Sequence, residues 1–195
     1  MDLQLKNKTA LVTGASQGIG RAIAKGLAAE GVRICIAARR RELLEELSKE
    51  IVAAGGTAPA IVVVDIMEEG APQRLAADAK KGIGNIDILI NSAGGSQPAI
   101  PIDAPESDWV HGMTLNFVRV RQLTHAVLPQ MIEGKWGRVI NISGKSEPER
   151  LLTATSAKAA IHAWAKGLSR EVGKHGITVN SIPPGRIMSE QIRRK

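Results

Sequence analysis

The sequence predicts a doubly wound α/β fold with a mainly parallel sheet. Six short apolar runs alternate with five longer segments of helical spacing along the 195 residues. The runs are rich in β-branched residues, as expected for strands that are buried on both faces of a sheet. Glycines stand just past several helical segments, where a left-handed residue can end a helix. Right-handed helical crossovers between parallel strands then cover both faces of one sheet.

The predicted elements alternate regularly, strand then helix, from the first strand to the sixth. The strands are residues 9–13, 33–38, 60–64, 88–90, 138–142 and 178–182, and the helices are residues 18–30, 41–54, 72–81, 106–132 and 155–175. They predict a single domain over residues 1–195. The chain stops in a basic stretch soon after the sixth strand, which would leave a parallel edge exposed. We therefore expect the domain to continue past Lys195 and to lack its C-terminal strand within these residues.

The composition is that of an ordinary soluble protein, with 44% hydrophobic and 23% charged residues. These fractions exclude a disordered chain, a collagen and a coiled coil. The single cysteine, Cys35, excludes an internal disulfide and a cysteine-based metal site, and it favours a reducing cytoplasm. No segment approaches the roughly 18 apolar residues of a membrane span, and the N-terminus lacks a signal-peptide pattern. We expect a cytoplasmic protein without a membrane partner.

The charge balance is compatible with an anionic ligand but does not identify one. Lys and Arg number 26 against 19 Asp and Glu, a net charge of +7, which suits a phosphate-bearing ligand and equally suits solubility alone. The three tryptophans do not alternate with basic residues as a base-stacking platform would, so we expect no nucleic-acid partner. The four histidines lack the spacing of a metal site, so we expect no metal.

A glycine-rich turn follows the first predicted strand. The segment TGASQGIG places Gly14, Gly18 and Gly20 between that strand and the first helix. Because glycine has no Cβ, backbone amides there can approach a pyrophosphate at the positive end of the helix. A tight turn without a ligand would use the same residues. The position between a strand and an amphipathic helix favours the cofactor interpretation.

The order G-x-x-x-G-x-G resembles the cofactor turn of the short-chain dehydrogenase/reductases, and further matches follow in that family's order. Asp65 follows the third strand, N-S-A-G stands at residues 91–94, Asn116 and Lys158 match an asparagine and the lysine of Y-x-x-x-K, and Pro184-Gly185 matches a P-G turn. The resemblance covers essentially the whole chain and is broadly to the 3-oxoacyl-carrier-protein reductase-like branch. It implies a Rossmann-type dinucleotide-binding domain.

The resemblance also implies which residues contact the cofactor. They are Gly14, Ser16, Gly18, Ile19, Gly20, Arg39, Asp65, Ile66, Asn91, Ala93, Gly94, Lys158, Pro184, Gly185 and Ile187. For single residues a structural role stays equally open. Asp65 could cap a helix, Asn91 could belong to a turn, and Lys158 could be a solvated helix lysine.

The residues after the second strand predict the type of nicotinamide cofactor. NAD-binding proteins usually carry an acidic residue there for the ribose 2′-hydroxyl, whereas a basic residue accommodates a 2′-phosphate. Residues 37–41 contain no acid, and Arg39 could grip a phosphate with help from Ser16. The sequence therefore favours NADP(H). The alternative is that the arginines only open the next helix, as we expect for Arg41.

The catalytic pattern departs from the family. An asparagine, a serine, a tyrosine and a lysine cooperate there in acid-base catalysis beside hydride transfer. The resemblance makes Asn116, Ser143 and Lys158 the catalytic candidates, but the tyrosine position is Ala154 and the chain has no tyrosine. Gly144 stands where the reactive hydroxyl is expected, so Ser143 or Ser146 would replace it. The substitutes for the phenol would be Thr153, Thr155 and Ser156, all of them much weaker acids.

Two functions therefore stay open. The first is an NADP(H)-dependent oxidoreductase acting on a small-molecule carbonyl or secondary alcohol, with an atypical site that lacks the tyrosine. The second is a catalytically weak or inactive NADP(H)-binding relative that acts as a sensor or assembly partner. The resemblance also implies a homodimer or homotetramer packed through the fourth and fifth helices. The apolar surface for it would come from Leu115, Val118, Leu123, Ala160, Ala163 and Trp164.

Overall fold

A six-stranded parallel sheet organises the protein. The computed structural model describes residues 2–95, 102–144 and 151–185. The strands are β1 (Thr9–Thr13), β2 (Arg33–Ala38), β3 (Ala60–Val63), β4 (Ile88–Asn91), β5 (Gly137–Ile142) and β6 (Ile177–Ile182). They lie in the order β3-β2-β1-β4-β5-β6, and every neighbouring pair is parallel. The order reverses between β1 and β4, so the predicted doubly wound fold is confirmed.

The helices cover both faces of this sheet. They are α1 (Gly18–Ala29), α2 (Arg41–Ala53), α3 (Ala71–Ile83), α4 (Glu106–Met113), α5 (Arg119–Glu133) and α6 (Thr153–Val172). Buried residues of α1 and α2 pack against one set of alternate strand residues, including Val12 and Ile36. Buried residues of α3, α5 and α6 pack against the other set, including Leu11 and Val139. The two-residue period of the strands thus divides the core into two layers.

The predicted fourth helix is interrupted. Instead of one helix over residues 106–132, a π-helical turn at Thr114–Val118 separates α4 from α5. The backbone N–H of Arg119 reaches back five residues to the Thr114 carbonyl, which widens the helix at that point. Asn116 lies in this turn, and its Nδ2 donates to the Gly112 carbonyl over 3.0 Å. The predicted helical segment is confirmed, since the three pieces follow one another without a break, but hydrophobic spacing does not distinguish a five-residue backbone bond from a four-residue one and so did not predict the π-helical turn.

The predicted fifth helix differs from α6 at both ends. It begins at Thr153, two residues earlier than expected, so Ala154 lies in its first turn. It gives way at Gly173–His175 to a short 3-10 turn, which Gly176 ends with a φ of +73°.

None of the helices formed by the described residues is long and apolar enough to cross a membrane. Cys35 is buried in the core, and burial raises the pKa of its thiol to about 12.

Candidate active site

A cleft of about 840 Å³ opens at the carboxyl ends of the strands, where doubly wound sheets bind their ligands. The turns after β1, β2, β3, β4 and β5 line it, together with part of α4, the π-helical turn and α6. The described residues around it are Thr13, Gly14, Ser16–Gly20, Ala37–Arg40, Val64–Met67, Leu75, Ser92–Gly95, His111, Leu115, Ile142, Ser143, Lys158, Pro184 and Gly185. The sheet therefore brings together residues that lie far apart in the sequence.

The glycine-rich turn has the shape of a cradle. Gly14 has a φ of +65°, and a Cβ at this position would lie 2.8 Å from the Ser92 carbonyl oxygen. A Cβ at Gly20 would lie 2.5 Å from the Gly14 carbonyl oxygen. No side chain fits at either of these two positions, because the backbone of one segment packs directly on the backbone of another. Gly18 has a φ of +57° and open space on its Cβ side, so the start of α1 is accessible to a ligand.

The hydroxyl of Thr13 joins the turns after β1 and β4. It donates to the Ile90 carbonyl over 3.1 Å and accepts the backbone N–H groups of Ser92 and Ala93, each over 3.0 Å. Thr13 is buried, so water does not compete strongly for these bonds. They hold Ala93 and Gly94 beside the glycine-rich turn.

Two arginines line the cleft after β2, not one. Arg39 Nη1 lies 3.9 Å from Asp65 Oδ2, and its side chain is 75% exposed. Arg40 Nη2 donates to Gln17 Oε1 over 2.5 Å, which ties the end of β2 to the glycine-rich turn. Arg41 starts α2 and pairs with Glu45 over 3.8 Å. The sequence analysis found Arg39 and Arg41 but missed Arg40, which the same run of arginines could have suggested.

Asp65 is not a helix cap. Its Oδ1 accepts the backbone N–H of Met67 over 2.9 Å, which closes a local turn beside the cleft. The residue before α3 is Gly70, with a φ of +69°. Asp65 therefore faces the arginines and also shapes the loop that carries Ile66.

Most of the predicted cofactor residues line the cleft, with two exceptions. Asn91 lies outside the lining, because its Nδ2 donates to Thr124 Oγ1 over 3.0 Å and to Asn141 Oδ1 over 2.9 Å. Its buried side chain links β4, β5 and α5, so the structure gives it a packing role. Ile187, the second exception, lies outside the described residues, as does Ser146, the alternative candidate for the reactive hydroxyl. The sequence analysis missed the lining residues Gln17, Met67, Gly95, His111 and Leu115, which share no single sequence signal.

Asn116 supports the cleft from behind. Its side-chain amide accepts the Gly95 N–H over 3.2 Å and donates to the carbonyls of Gly95 and Gly112. The residue is 4% exposed and is absent from the lining of the cleft. A Cβ at Gly94 would lie 2.9 Å from Asn116 Oδ1. Asn116 therefore fixes the backbone of Gly94 and Gly95, which face the cleft.

Lys158 and Ser143 line the cleft at the end of β5. Lys158 Nζ donates to the carbonyls of Ile142 and Ser143, each over 3.2 Å. Burial lowers the pKa of this lysine below its ordinary value. Ser143 Oγ is buried and has no hydrogen-bond partner among the described residues. A buried hydroxyl without a partner costs stability, so it is a candidate for binding a ligand oxygen.

The other hydroxyls proposed from the sequence are outside the lining. Thr153 is buried against α4, where a Cβ on Gly112 would lie 2.3 Å from its Oγ1. Thr155 is half-buried and Ser156 is exposed, and neither lines the cleft. Ala154 is 3% exposed. Because Ala154 precedes Lys158 by four residues, the two side chains share a face of α6.

Comparison with known proteins identifies the family of the chain. A family model described as short chain dehydrogenase matches residues 8–195. The chain belongs to the short-chain dehydrogenase family. The resemblance seen in the sequence is confirmed, because the match extends over nearly every residue. Among the residues described, no group of three His, Cys, Asp or Glu side chains could hold a metal ion.

Similar proteins include a curated sequence and two solved structures. A short chain dehydrogenase of Pseudocercospora fijiensis is 38% identical over 192 residues. The match covers 96% of this chain and 62% of the length of that relative. L-sorbose reductase from Gluconobacter frateurii, complexed with NADPH and L-sorbose, is 29% identical with a TM-score of 0.92, covering 98% of this chain and 74% of that one. A 3-oxoacyl (acyl-carrier-protein) reductase from Agrobacterium tumefaciens C58 with NADP bound has the same identity and TM-score over 97% and 74%.

The unpartnered hydroxyl of Ser143 generates a prediction. Ser143→Ala should raise the free energy of unfolding by about 1 kcal/mol, because it removes a buried polar atom that gains nothing in the folded state. If that hydroxyl binds the substrate, the same variant should lower turnover. Urea denaturation and a turnover assay measure the two effects.

Ser181→Ala is the matched control for Ser143→Ala. The Ser181 hydroxyl is also buried and without a partner among the described residues, but it lies on β6 outside the cleft lining. Ser181→Ala should raise the free energy of unfolding without changing turnover. A Ser143→Ala variant that is stabilised and fully active would exclude a role for this hydroxyl in the reaction.

Proposed function

We propose that the protein is an NADP(H)-dependent oxidoreductase that interconverts a carbonyl and a secondary alcohol. The observation that carries the proposal is the cradle formed by Gly14, Gly18 and Gly20 at the mouth of the cleft. It lies where the strand order reverses, which is the ligand site of this architecture. Membership of the short-chain dehydrogenase family and the NADPH complex of a 29% identical neighbour support it.

The residues present fit a dinucleotide. No acidic residue lies in the first turn of α1, and no side chain caps its start, so its first N–H groups can donate to a pyrophosphate. Asp65 and Ile66 would contact the adenine end, and Ala93, Gly94, Pro184 and Gly185 would flank the nicotinamide end. When bound, the reduced nicotinamide supplies a hydride to the substrate carbon. Isothermal calorimetry with NADPH and absorbance at the dihydronicotinamide band with a panel of ketones test the proposal.

The preference for the 2′-phosphate rests on the two arginines after β2. Arg39 and Arg40 both line the cleft, and Arg40 is hydrogen-bonded to Gln17 of the glycine-rich turn. The ion pair of Arg39 with Asp65 is long and exposed, so breaking it costs little free energy. Arg39 can therefore exchange the carboxylate for a phosphate. Asp65 would otherwise repel a phosphate, which makes Arg39 the residue that decides the preference.

Arg39→Ala is expected to reduce the selectivity for NADPH over NADH. One charge-assisted phosphate contact contributes about 1.5 to 3 kcal/mol, so NADPH affinity should fall roughly ten- to a hundredfold while NADH affinity changes little. Calorimetry with both cofactors measures this. Arg41→Ala removes the same charge at the start of α2 and should leave both affinities unchanged. Equal affinities of the wild-type protein for NADPH and NADH would refute the assignment.

The catalytic end of the cleft supports an atypical site. Ala154 stands at the tyrosine position, and the chain offers no phenol anywhere. The same observation favours the second candidate, an NADP(H)-binding protein with little turnover that acts as a sensor or assembly partner. Tight NADPH binding without NADPH consumption across a carbonyl panel would distinguish the second candidate from the first.

Turnover on simple ketones should be at least about a hundredfold below that of a tyrosine-bearing relative, since a positioned general acid contributes roughly 10² to 10⁴-fold. Ala154→Tyr should raise it, because the new side chain shares a face of α6 with Lys158. Ala154→Phe adds similar bulk to the same buried position without a hydroxyl, so it should not. Steady-state kinetics compare the three proteins. Equal rates for the Tyr and Phe variants would show that the phenol does not reach the reacting oxygen.

We also propose a homodimer or homotetramer formed through α5 and α6. Phe117 and Trp164 make an edge-to-face contact at 6.3 Å between ring centroids, and Trp164 is half-buried beside the exposed Ala163. Leu123, expected on this surface, is instead buried in the core at 1% exposure. The proposed surface is therefore narrower than the sequence suggested.

The proposed association through α5 and α6 predicts the molar mass of the protein in solution. Light scattering at micromolar concentration should give two or four times the chain mass. Ala163→Glu should give the monomer, because it places a charge on the proposed surface. Lys49→Glu on the exposed side of α2 is the control and should leave the mass unchanged. A wild-type protein that is monomeric throughout would contradict the proposal.

A further inference from the structure

The β5 end of the cleft lacks the usual acid of this family but holds a lysine. We propose that Lys158 itself donates the proton to the substrate oxygen, with Ser143 Oγ hydrogen-bonded to that same oxygen. The proposal rests on the proposed function, because it concerns the same cleft and the same reaction. It assigns the missing step of acid catalysis to a residue that lines the cleft.

The hydrogen bonds of Lys158 leave one donor available. An ammonium group carries three N–H donors. Two of them reach the carbonyls of Ile142 and Ser143, each over 3.2 Å. These bonds hold Nζ in place at the end of β5, and the third N–H has no partner among the described residues. A substrate oxygen in the cleft can accept it.

Two glycines give the lysine its position. A Cβ at Gly144 would lie 2.9 Å from Lys158 Cδ, so the lysine stem occupies the space that a side chain at 144 would need. A serine at 144 could not coexist with Lys158 in this conformation. Across the cleft, a Cβ at Gly94 would lie 3.7 Å from Lys158 Nζ. The glycines at 94 and 144 therefore leave space for the ammonium group in this corner, which Ser143 also lines.

Ser143 supplies the second donor. Ser143 lines the cleft, its hydroxyl is buried without a partner among the described residues, and its carbonyl accepts a hydrogen bond from Lys158 Nζ. One oxygen atom that accepts both the Ser143 hydroxyl and the third Lys158 N–H would satisfy every donor at this end. A carbonyl or alkoxide oxygen has the lone pairs to do so.

Burial makes Lys158 a stronger acid than an exposed lysine, because it lowers the pKa of the ammonium group. The other titratable groups of the described lining are Arg39, Arg40, Asp65 and His111. Among these lining residues the only carboxylate is Asp65, which follows β3. His162, also on α6, has its Nε2 3.3 Å from the Gly144 carbonyl oxygen.

The proposed proton transfer is balanced. A bound reduced nicotinamide would supply the hydride, which is two electrons and one proton, for the carbonyl carbon. The N–H bond of Lys158 breaks and the O–H bond of the alcohol forms, which leaves a neutral amine. Lys158 regains its proton from water between turnovers. Since the acid must be protonated, the reduction rate should be level at low pH and fall as the pH rises through the pKa of Lys158.

The test compares Lys158→Arg with the wild-type protein. Arginine keeps the charge and the donors but does not release a proton, so NADPH affinity should stay within about tenfold. Ketone reduction should fall at least about 100-fold. In Lys158→Ala, added methylammonium should restore part of the lost rate, which a positioning role would not predict. Lys166→Arg, exposed on the same helix, is the matched control and should change neither quantity.

A second readout does not depend on the reaction. In protein with ¹³C-labelled lysine and no cofactor, the Lys158 signal, assigned by its loss in Lys158→Arg, should titrate below 10.5. Its midpoint should agree with the pH at which the reduction rate falls. A midpoint at or above 10.5 overturns the proposal, and so does a Lys158→Arg variant as fast as wild type. Wild-type protein that binds NADPH but reduces no ketone also overturns it, whereas a failure to bind NADPH refutes the proposed function itself.

Discussion

The direct contact of backbone with backbone between the turns after β1 and β4 determines the shape of the cleft. Gly14 lies so close to Ser92 and Ala93 that no side chain fits between them. The Thr13 hydroxyl then fastens the two turns with three hydrogen bonds. Since β1 and β4 are also neighbours at the point where the strand order reverses, the crevice there follows from the topology. The glycines make the crevice deep enough for a pyrophosphate to reach the start of α1.

The two ends of the cleft are built by different means. The end after β2 and β3 relies on charged side chains on loops, namely Arg39, Arg40 and Asp65, which can rearrange around a ligand. The end nearest β5 relies on buried groups in fixed positions, with Asn116 bonded to Gly95 and Lys158 bonded to two carbonyls. Exposed charges tolerate substitution at small cost in stability, whereas buried polar groups do not. Selectivity for the cofactor can therefore vary more easily than the geometry of the reacting atoms.

The sequence predicted the fold and half of the site because both depend on local patterns. Short β-branched runs and a glycine-rich turn are visible in any ten-residue window, and parallel strands meet at one edge whatever their loops contain. The errors concern contacts between distant segments. Asn91 matches a family motif, but Asn141 and Thr124, 50 and 33 residues away, take its side chain into the core. The bond between Arg40 and Gln17 likewise spans 23 residues, and no local pattern encodes it.

The glycine at 144 and the position of Lys158 are physically related. Without a side chain at 144, the stem of Lys158 can lie against the backbone of β5's last turn, and Nζ can reach the carbonyls of Ile142 and Ser143. A serine at 144 would require the flexible stem of Lys158 to shift, so the residue at 144 and the position of the ammonium group are coupled. The position of Lys158, the Ser143 hydroxyl without a partner among the described residues and the glycine at 144 form one arrangement, which the acid catalysis proposed for Lys158 would use in place of a phenol.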